Sequence, residues 1–218
     1  MRLAIFDLDN TLIAGDSDHS WGEFLVQKNL VDAKTYAEAN DRFYQQYQAA
    51  TLDIQEYLRF SLAPLTGYSL DDLAVLHAEF MRDFIEPMML PKAKELLQNH
   101  RSQGDYLLII TATNSFVTHP IAKHLGVDDI LASDAEILNG RYTGKGIGTP
   151  CFQGGKVIRL QEWLKEKKYN LDDAYFYSDS INDLPLLEKV PNPVAVDADE
   201  RLSKAAQERG WKQISLRD

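Results

Sequence analysis

The stretch LAIFDLDNT at residues 3–11 runs an apolar strand straight into two aspartates, Asp7 and Asp9. Burying a charge without a partner is expensive, and two carboxylates this close repel each other. A chain that does this must fold so that something else answers them. The same design recurs twice more: YLLIIT (106–111) ends at Thr111, and AYFYSD (174–179) ends at Asp179. Short runs that are apolar at nearly every position suit strands covered on both faces, hence a parallel sheet flanked by helices. Open sheets of this kind bind ligands beyond the carboxyl ends of their strands, where these polar residues fall. NPVAVD (192–197) and WKQISL (211–216) are expected as further strands.

Between the strands, helices are expected over 91–103, 115–125, 154–168, 181–189 and 199–209. Pro91 suits a first helical turn, and Gly104 and Gly126 suit helix ends. AEILNGRYTGKG (135–146) reads as a hairpin turning at Asn139-Gly140. Residues 17–88 differ, carrying apolar side chains at three- and four-residue spacing through about four segments. Ser69 with Asp71 and Asp72 makes a good start for one of them. The expected fold is α/β: a Rossmann-like parallel sheet sandwiched by helices, with a four-helix block inserted. The core would comprise 1–15 and 89–218 and the helical domain 16–88, with hinges at Gly15 and around Glu86 to Leu90.

Composition narrows the partners. The 23 Lys and Arg against 33 Asp and Glu leave a net charge of −10. That argues against nucleic acid or an anionic membrane, both of which reward a basic face. Cys151 is the single cysteine; it cannot form an internal disulfide, which fits a reducing compartment. Asp7 and Asp9 interrupt the only apolar N-terminal stretch, so no signal peptide is expected, and no run approaches the ~18 apolar residues of a membrane span. A cytoplasmic protein, monomer or homodimer, is the expectation.

Asp7, Asp9, Thr111, Asp179 and Asp183, with Lys156 opening a helix after QGG, should converge on one sheet edge. Crowded carboxylates need a cation, and hard oxygen ligands favour Mg²⁺. Here the pattern becomes recognisable. DLDNT resembles motif I of the haloacid dehalogenase superfamily of phosphohydrolases, IITAT looks like motif II, GGK like the motif III lysine, and SDSIND like the motif IV acidic loop. The inserted helices are similar to that superfamily's C1 cap, and NGRYTGK ahead of the lysine is similar to the phosphoserine-phosphatase-like branch.

The resemblance implies that Asp7 is the nucleophile, forming an aspartyl-phosphate, and that Asp9 is the general acid and then base. It implies Mg²⁺ held by the Asp7 carboxylate, the Asp9 backbone carbonyl and Asp179, with Asp183 acting directly or through water. Lys156 would offset phosphoryl charge; Thr111, Ala112 and Asn182 would lie against the phosphate. Asp16, the ninth residue after the nucleophile, matches the position of a glutamate that receives substrate ammonium in phosphoserine phosphatases. Asp16 and Asp18 therefore suit a cationic substrate, or they cap the first inserted helix.

A phosphoserine enzyme also needs an arginine for the carboxylate, and Arg42, Arg59 and Arg82 are available. DSDHSWGEF looks more like a bacterial branch to which histidinol-phosphatase activity is attached. The expected substrate is a small amino-alcohol phosphate, histidinol phosphate first and phosphoserine second. A receiver-like phospho-acceptor module, the rival arrangement, has no use for a general base such as Asp9. A capped fold without catalysis finds no support, since all four motifs are intact. His77 and His100, in helical stretches, are expected in ordinary exposed or half-buried roles, and His119 and His124 are spaced wrongly for a metal pair.

Overall fold

A computed structural model describes residues 1–217 of the chain. Six strands form one parallel sheet: β1 (Leu3–Phe6), β2 (Tyr106–Asn114), β3 (Asp129–Ser133), β6 (Tyr175–Ser178), β7 (Asn192–Val196) and β8 (Lys212–Ile214). Their spatial order is β3-β2-β1-β6-β7-β8. Strand β1 is therefore central, paired with β2 on one side, Phe6 opposite Ile109, and with β6 on the other, Phe6 opposite Tyr177. Chain order runs outward from β1 toward β3 and then resumes at β6 on its other flank. A crevice opens where that order reverses, at the carboxyl end of β1.

All four residues of β1 are buried, as the unbroken apolar run predicts. Alternate residues serve opposite faces. Ala4 and Phe6 join one core cluster with Trp21, Phe24 and Phe80; Leu3 and Ile5 join the other with Leu160, Trp163 and Phe176. Helices α5 (Pro91–Ser102), α6 (Ser115–Leu125), α7 (Gly154–Lys167), α8 (Leu184–Leu187) and α9 (Glu200–Arg209) complete the sandwich. Gly126 ends α6 at φ 72°, a left-handed conformation that an L side chain adopts only with strain.

Three differences from the sequence expectations have physical reasons. Strand β3 was not anticipated, because DILAS is short and only partly buried. Strand β2 does not stop at Thr111 but continues to Asn114, with a register shift against β3 between Ile110 and Asn114. The helix expected over 181–189 is broken, a 3₁₀ turn at Ile181–Asp183 leading into the four-residue α8. The hairpin forms as expected from β4 (Ala135–Leu138) and β5 (Arg141–Gly146). Asn139 and Gly140 both have positive φ, 52° and 73°, as a tight primed turn demands.

The segment between β1 and α5 holds α1 (Ser17–Gln27), α2 (Ala33–Gln48), α3 (Ile54–Leu62) and α4 (Leu70–Phe80), the last running on through a π-helical turn. Asp16, Asp32, Asp53 and Ser69 cap their N-termini. The segment joins the sheet where Ala14 N–H donates to the Met88 carbonyl at 2.8 Å. A Cβ on Gly15 would lie 2.7 Å from Met88 Sδ, so the two crossing strands of chain touch there. Gly22 likewise lets α2 close on α1, since a Cβ there would meet Asn40 Nδ2 at 2.4 Å.

Both helical histidines are buried rather than exposed or half-buried. His77 bonds the Val117 carbonyl at 2.9 Å, tying α4 to α6. His100 lies between Asp105 and the Tyr177 hydroxyl, at 2.7 and 2.8 Å. His77's partner and one of His100's two lie on other elements far along the chain, so periodicity along one helix could not reveal them. No helix among the described residues is long and apolar enough to cross a membrane.

Candidate active site

Asp7 is the first residue past β1, and its N–H still bonds the Tyr177 carbonyl of β6 at 2.9 Å. That bond fixes the carboxylate over the crevice while leaving it 2% exposed. The countercharge is Lys156. Its Nζ donates to Asp7 Oδ1 and Asp183 Oδ2, each at 2.8 Å, and Ser178 Oγ adds a 2.7 Å bond to the same Asp183 oxygen.

Lys156 reaches this position because the chain before it is folded hard. Gln153 adopts φ 47° and ψ −121°, a strained conformation for a residue with a Cβ and one that clusters at functional sites. A Cβ on Gly155 would sit 2.0 Å from the Pro150 carbonyl oxygen, so only glycine lets the first turn of α7 pass under this loop. The strained Gln153 also donates through Nε2 to Asn182 Oδ1 at 3.0 Å, and Asn182 Nδ2 donates to the Tyr47 carbonyl at 2.9 Å. Asn182 thus links the loops before α7 and after β6 to the end of α2. Arg201 grips the same end at the Gln48 and Ala49 carbonyls.

Asp9 is held differently. Ser17 N–H, in the first turn of α1, donates to its Oδ1 at 2.7 Å, and Thr113 Oγ1 donates to its Oδ2 at 2.8 Å. Thr113 went unrecognised in the sequence because its neighbour Thr111 filled the motif position. The bulged course of β2 brings it round, and Thr111 Oγ1 accepts from Thr113 N–H at 3.2 Å. Asp179 N–H donates to Thr11 Oγ1 at 3.1 Å, and Asp179 Oδ1 lies 3.2 Å from the same hydroxyl.

Asp7, Asp9, Asp16, Asp18, Thr111 and Ala112, all anticipated, line one cavity. Tyr47, Asn40, Phe43, Tyr44 and Tyr57, not anticipated, form its helical wall. They are aromatic and amide residues on α2 and α3 with ordinary helical spacing, so only tertiary structure distinguishes them from core. Asp179 borders an adjoining groove with Asn10, Ser180 and Arg217. Asp16 is the N-cap of α1, accepting from His19 N–H at 2.8 Å. Arg42, Arg59 and Arg82 are all exposed. Cys151 is buried, and burial pushes its thiol up to about 12, so it is not a nucleophile.

The carboxyls here are displaced upward. Burial, opposed by Lys156, brings Asp7 to about 7. Burial and then Asp16 bring Asp9 to about 7, and burial and Asp16 bring Asp18 to about 8. Burial also raises Asp16 and Asp179. Lys156 goes the other way from its desolvation: the charges of Asp183 and Asp7 outweigh burial and keep it protonated.

A stability prediction follows from the sign. These carboxyls titrate near 3.8 when unfolded and higher when folded, so between those values the folded protein holds protons the unfolded chain has released. Stability must decrease as pH rises across that window. His77, lowered by burial from 6.5, acts oppositely but is one group against five. Without divalent cations, the thermal midpoint is expected to be higher by roughly 5 °C at about pH 5.5 than at about pH 8. A midpoint that rises with pH in EDTA would contradict this.

Residues 4–188 match the family model for haloacid dehalogenase-like hydrolases. The chain is 47% identical over 220 residues to a histidinol-phosphatase of Neisseria meningitidis, covering 99% of each chain. It is 32% identical over 212 residues to a phosphoserine phosphatase of Mycobacterium tuberculosis, covering 96% of this chain and 69% of that one. Among solved structures, a Bordetella pertussis protein of unknown function superposes with a TM-score of 0.92 at 43% identity, over 99% of this chain and 98% of that one. A phospho-aspartyl intermediate analogue of phosphoserine phosphatase shares the fold, with a TM-score of 0.71 at 20% identity over 100% of this chain and 94% of that one. The acidic crevice at the reversal point of a parallel sheet and these likenesses agree: the chain belongs to the haloacid dehalogenase-like hydrolases and is a phosphatase.

Proposed function

We propose that the protein hydrolyses a small amino-alcohol phosphate, histidinol phosphate first, through a phosphorylated Asp7 and with Mg²⁺. The observation that carries the chemistry is the unequal treatment of two neighbouring carboxylates. Asp7 faces a permanent cation, Lys156, at 2.8 Å, which keeps its carboxylate available for in-line attack on phosphorus. Asp9 faces only neutral donors, Ser17 N–H and Thr113 Oγ1. With no cation against it, it holds a proton to give the leaving alcohol and later takes one from the water that opens the acyl phosphate. The Lys156 ammonium, against Asp7, and the Thr111 hydroxyl, in the same cavity wall, would stabilise the phosphoryl oxygens. Residues 16–88 act as a cap over this site, hinged at Gly15 and Glu86 to Leu90.

The donor set fits a hard divalent cation. Asp7, Asp179 and Asp183 outnumber the one Lys156, Asp179 has, among the described residues, only the Thr11 hydroxyl against its carboxylate, and every donor is oxygen. No three acidic, His or Cys side chains among the described residues are already gathered at ligating spacing, so binding an ion must draw them together. Asp7, the Asp9 carbonyl and Asp179, with Asp183 behind them, would hold Mg²⁺. When bound it would neutralise the repulsion between the phosphate and Asp7.

On the substrate, the lining favours a cation: its one basic side chain, His19, already faces Asp41 at 2.9 Å. Among the described residues that line the cavity none is Lys or Arg, and the three helical-segment arginines named above are exposed. A substrate carboxylate would be buried there without a countercharge. An ammonium and an imidazole would meet Asp16, Asp18 and aromatic faces. That favours histidinol phosphate over phosphoserine and accords with the 47%-identical histidinol-phosphatase.

Phosphate release tests this directly, with Mg²⁺ and with EDTA, on histidinol phosphate, phosphoserine, phosphocholine and an aryl phosphate. Mg²⁺-dependent release that is fastest from histidinol phosphate is expected. Release from the aryl phosphate alone would remove the substrate, and release undiminished by EDTA would remove the metal.

A further inference from the structure

Asp18 stands out within α1. Its side chain is 4% exposed, and its Oδ1 receives one long bond, 3.2 Å, from Asn114 Nδ2. Its Oδ2 is buried and has no hydrogen-bond partner. The Tyr57 side chain approaches the carboxyl closely enough to favour its charged form by hydrogen bonding, yet no bond of good geometry reaches Oδ2. An unanswered buried carboxylate oxygen destabilises the free protein, and nothing in α1 requires it, because Asp16 already caps the helix. The oxygen belongs to the wall of the cavity that also holds Asp7 and Asp9.

We propose that Asp18 Oδ2 is the specificity-determining acceptor for a protonated nitrogen at the end of the substrate distant from the phosphate. Asp16 and Asp18 then have separate tasks. Asp16 spends an oxygen on His19 N–H and stands where the cavity meets the catalytic carboxylates; Asp18 keeps its free oxygen for the ligand. The cavity wall around Asp18 is Phe43, Tyr57, Leu52 and Ile54 with the Asn40 amide. Such a wall suits a flat, apolar-bodied group carrying an N–H, with the acid answering its charge. The ligand class is thus a phosphate ester with a cationic or N–H-bearing head and no carboxylate. This deepens the substrate reading above and rests on it.

The test compares wild type with Asp18→Asn, which keeps volume and removes the charge. The ratio of kcat/KM for histidinol phosphate to that for an aryl phosphate is measured in each. Removal of a charged hydrogen bond should lower that ratio roughly 10- to 100-fold, chiefly through KM for histidinol phosphate. An equal fall for both esters, or no fall in the ratio, would overturn the proposal. Histidinol as a competitive inhibitor of aryl-phosphate turnover supplies the independent arm. If wild type cleaves the aryl phosphate but not histidinol phosphate, the substrate reading fails, and Asp18 is judged by inhibition alone. Inhibition weakened at least about tenfold in Asp18→Asn supports it; equal inhibition, or none in wild type, overturns it.

Discussion

Asp7→Asn is expected to lower kcat by about four orders of magnitude or more, as loss of a covalent nucleophile does elsewhere. Asparagine matches aspartate in volume, so the packing beneath β1 stays as it is. The amide, however, is a far weaker nucleophile toward phosphorus than the carboxylate. The fold should survive, and the reason lies in the balance of charges. Lys156 loses one of its two carboxylate partners but keeps Asp183 at 2.7 Å, while a buried, desolvated acid is removed. The thermal midpoint should therefore be unchanged or slightly higher. Phosphate release and a melting curve on the same preparation decide the matter. A variant that folds and keeps more than about one per cent of wild-type turnover would end the assignment of Asp7 as nucleophile.

Lys156→Ala should do the opposite to stability. The ammonium is 1% exposed and joins two aspartates that are themselves buried. Truncating it leaves Asp7 and Asp183 facing each other across a small void. Breaking a buried ion pair on one side costs about 3–5 kcal/mol, which for a chain of this size lowers the thermal midpoint by roughly 10 °C. The loss should be greatest near neutral pH and shrink in acid, where the abandoned Asp7 carboxylate can protonate. A divalent cation should restore part of the stability, since it supplies charge to the same oxygens, but little of the turnover. Equal melting of wild type and variant in EDTA at neutral pH would mean that Lys156 is not what holds these carboxylates.

These expectations turn on features visible to different degrees in the sequence. Asp7 and Asp179 were legible because each closes an apolar run, and a strand buried on both faces leaves its first polar residue at the sheet edge. Lys156 was legible from glycines followed by a lysine at a helix start. Its embrace of both Asp7 and Asp183 was not, because the three come from distant parts of the chain. Thr113 was hidden by the register shift in β2: a strict alternation would send Thr111 and Thr113 to one face without saying which reaches Asp9. The burial of His77 and His100 was hidden for the same kind of reason, since Val117 lies 40 residues from His77 and Tyr177, the second of His100's two partners, 77 from His100.

Local sequence was enough for the layered α/β architecture, the order of the polar strand ends along the chain and the helical character of residues 17–88. Each depends on periodicity, caps and turns, which are interactions between residues close in the chain. Tertiary structure alone decided that β1 lies at the centre with the acids of β1 and β6 adjacent. It also decided that the arginines of the helical segment face away from the cavity and that Asp18 is left with a free oxygen inside it. Those outcomes depend on which faces meet, and no local pattern carries that information. The acids and the hydroxyl at the strand ends were therefore readable from the sequence, whereas the shape and charge of the pocket beside them emerged only when the helices closed over the sheet.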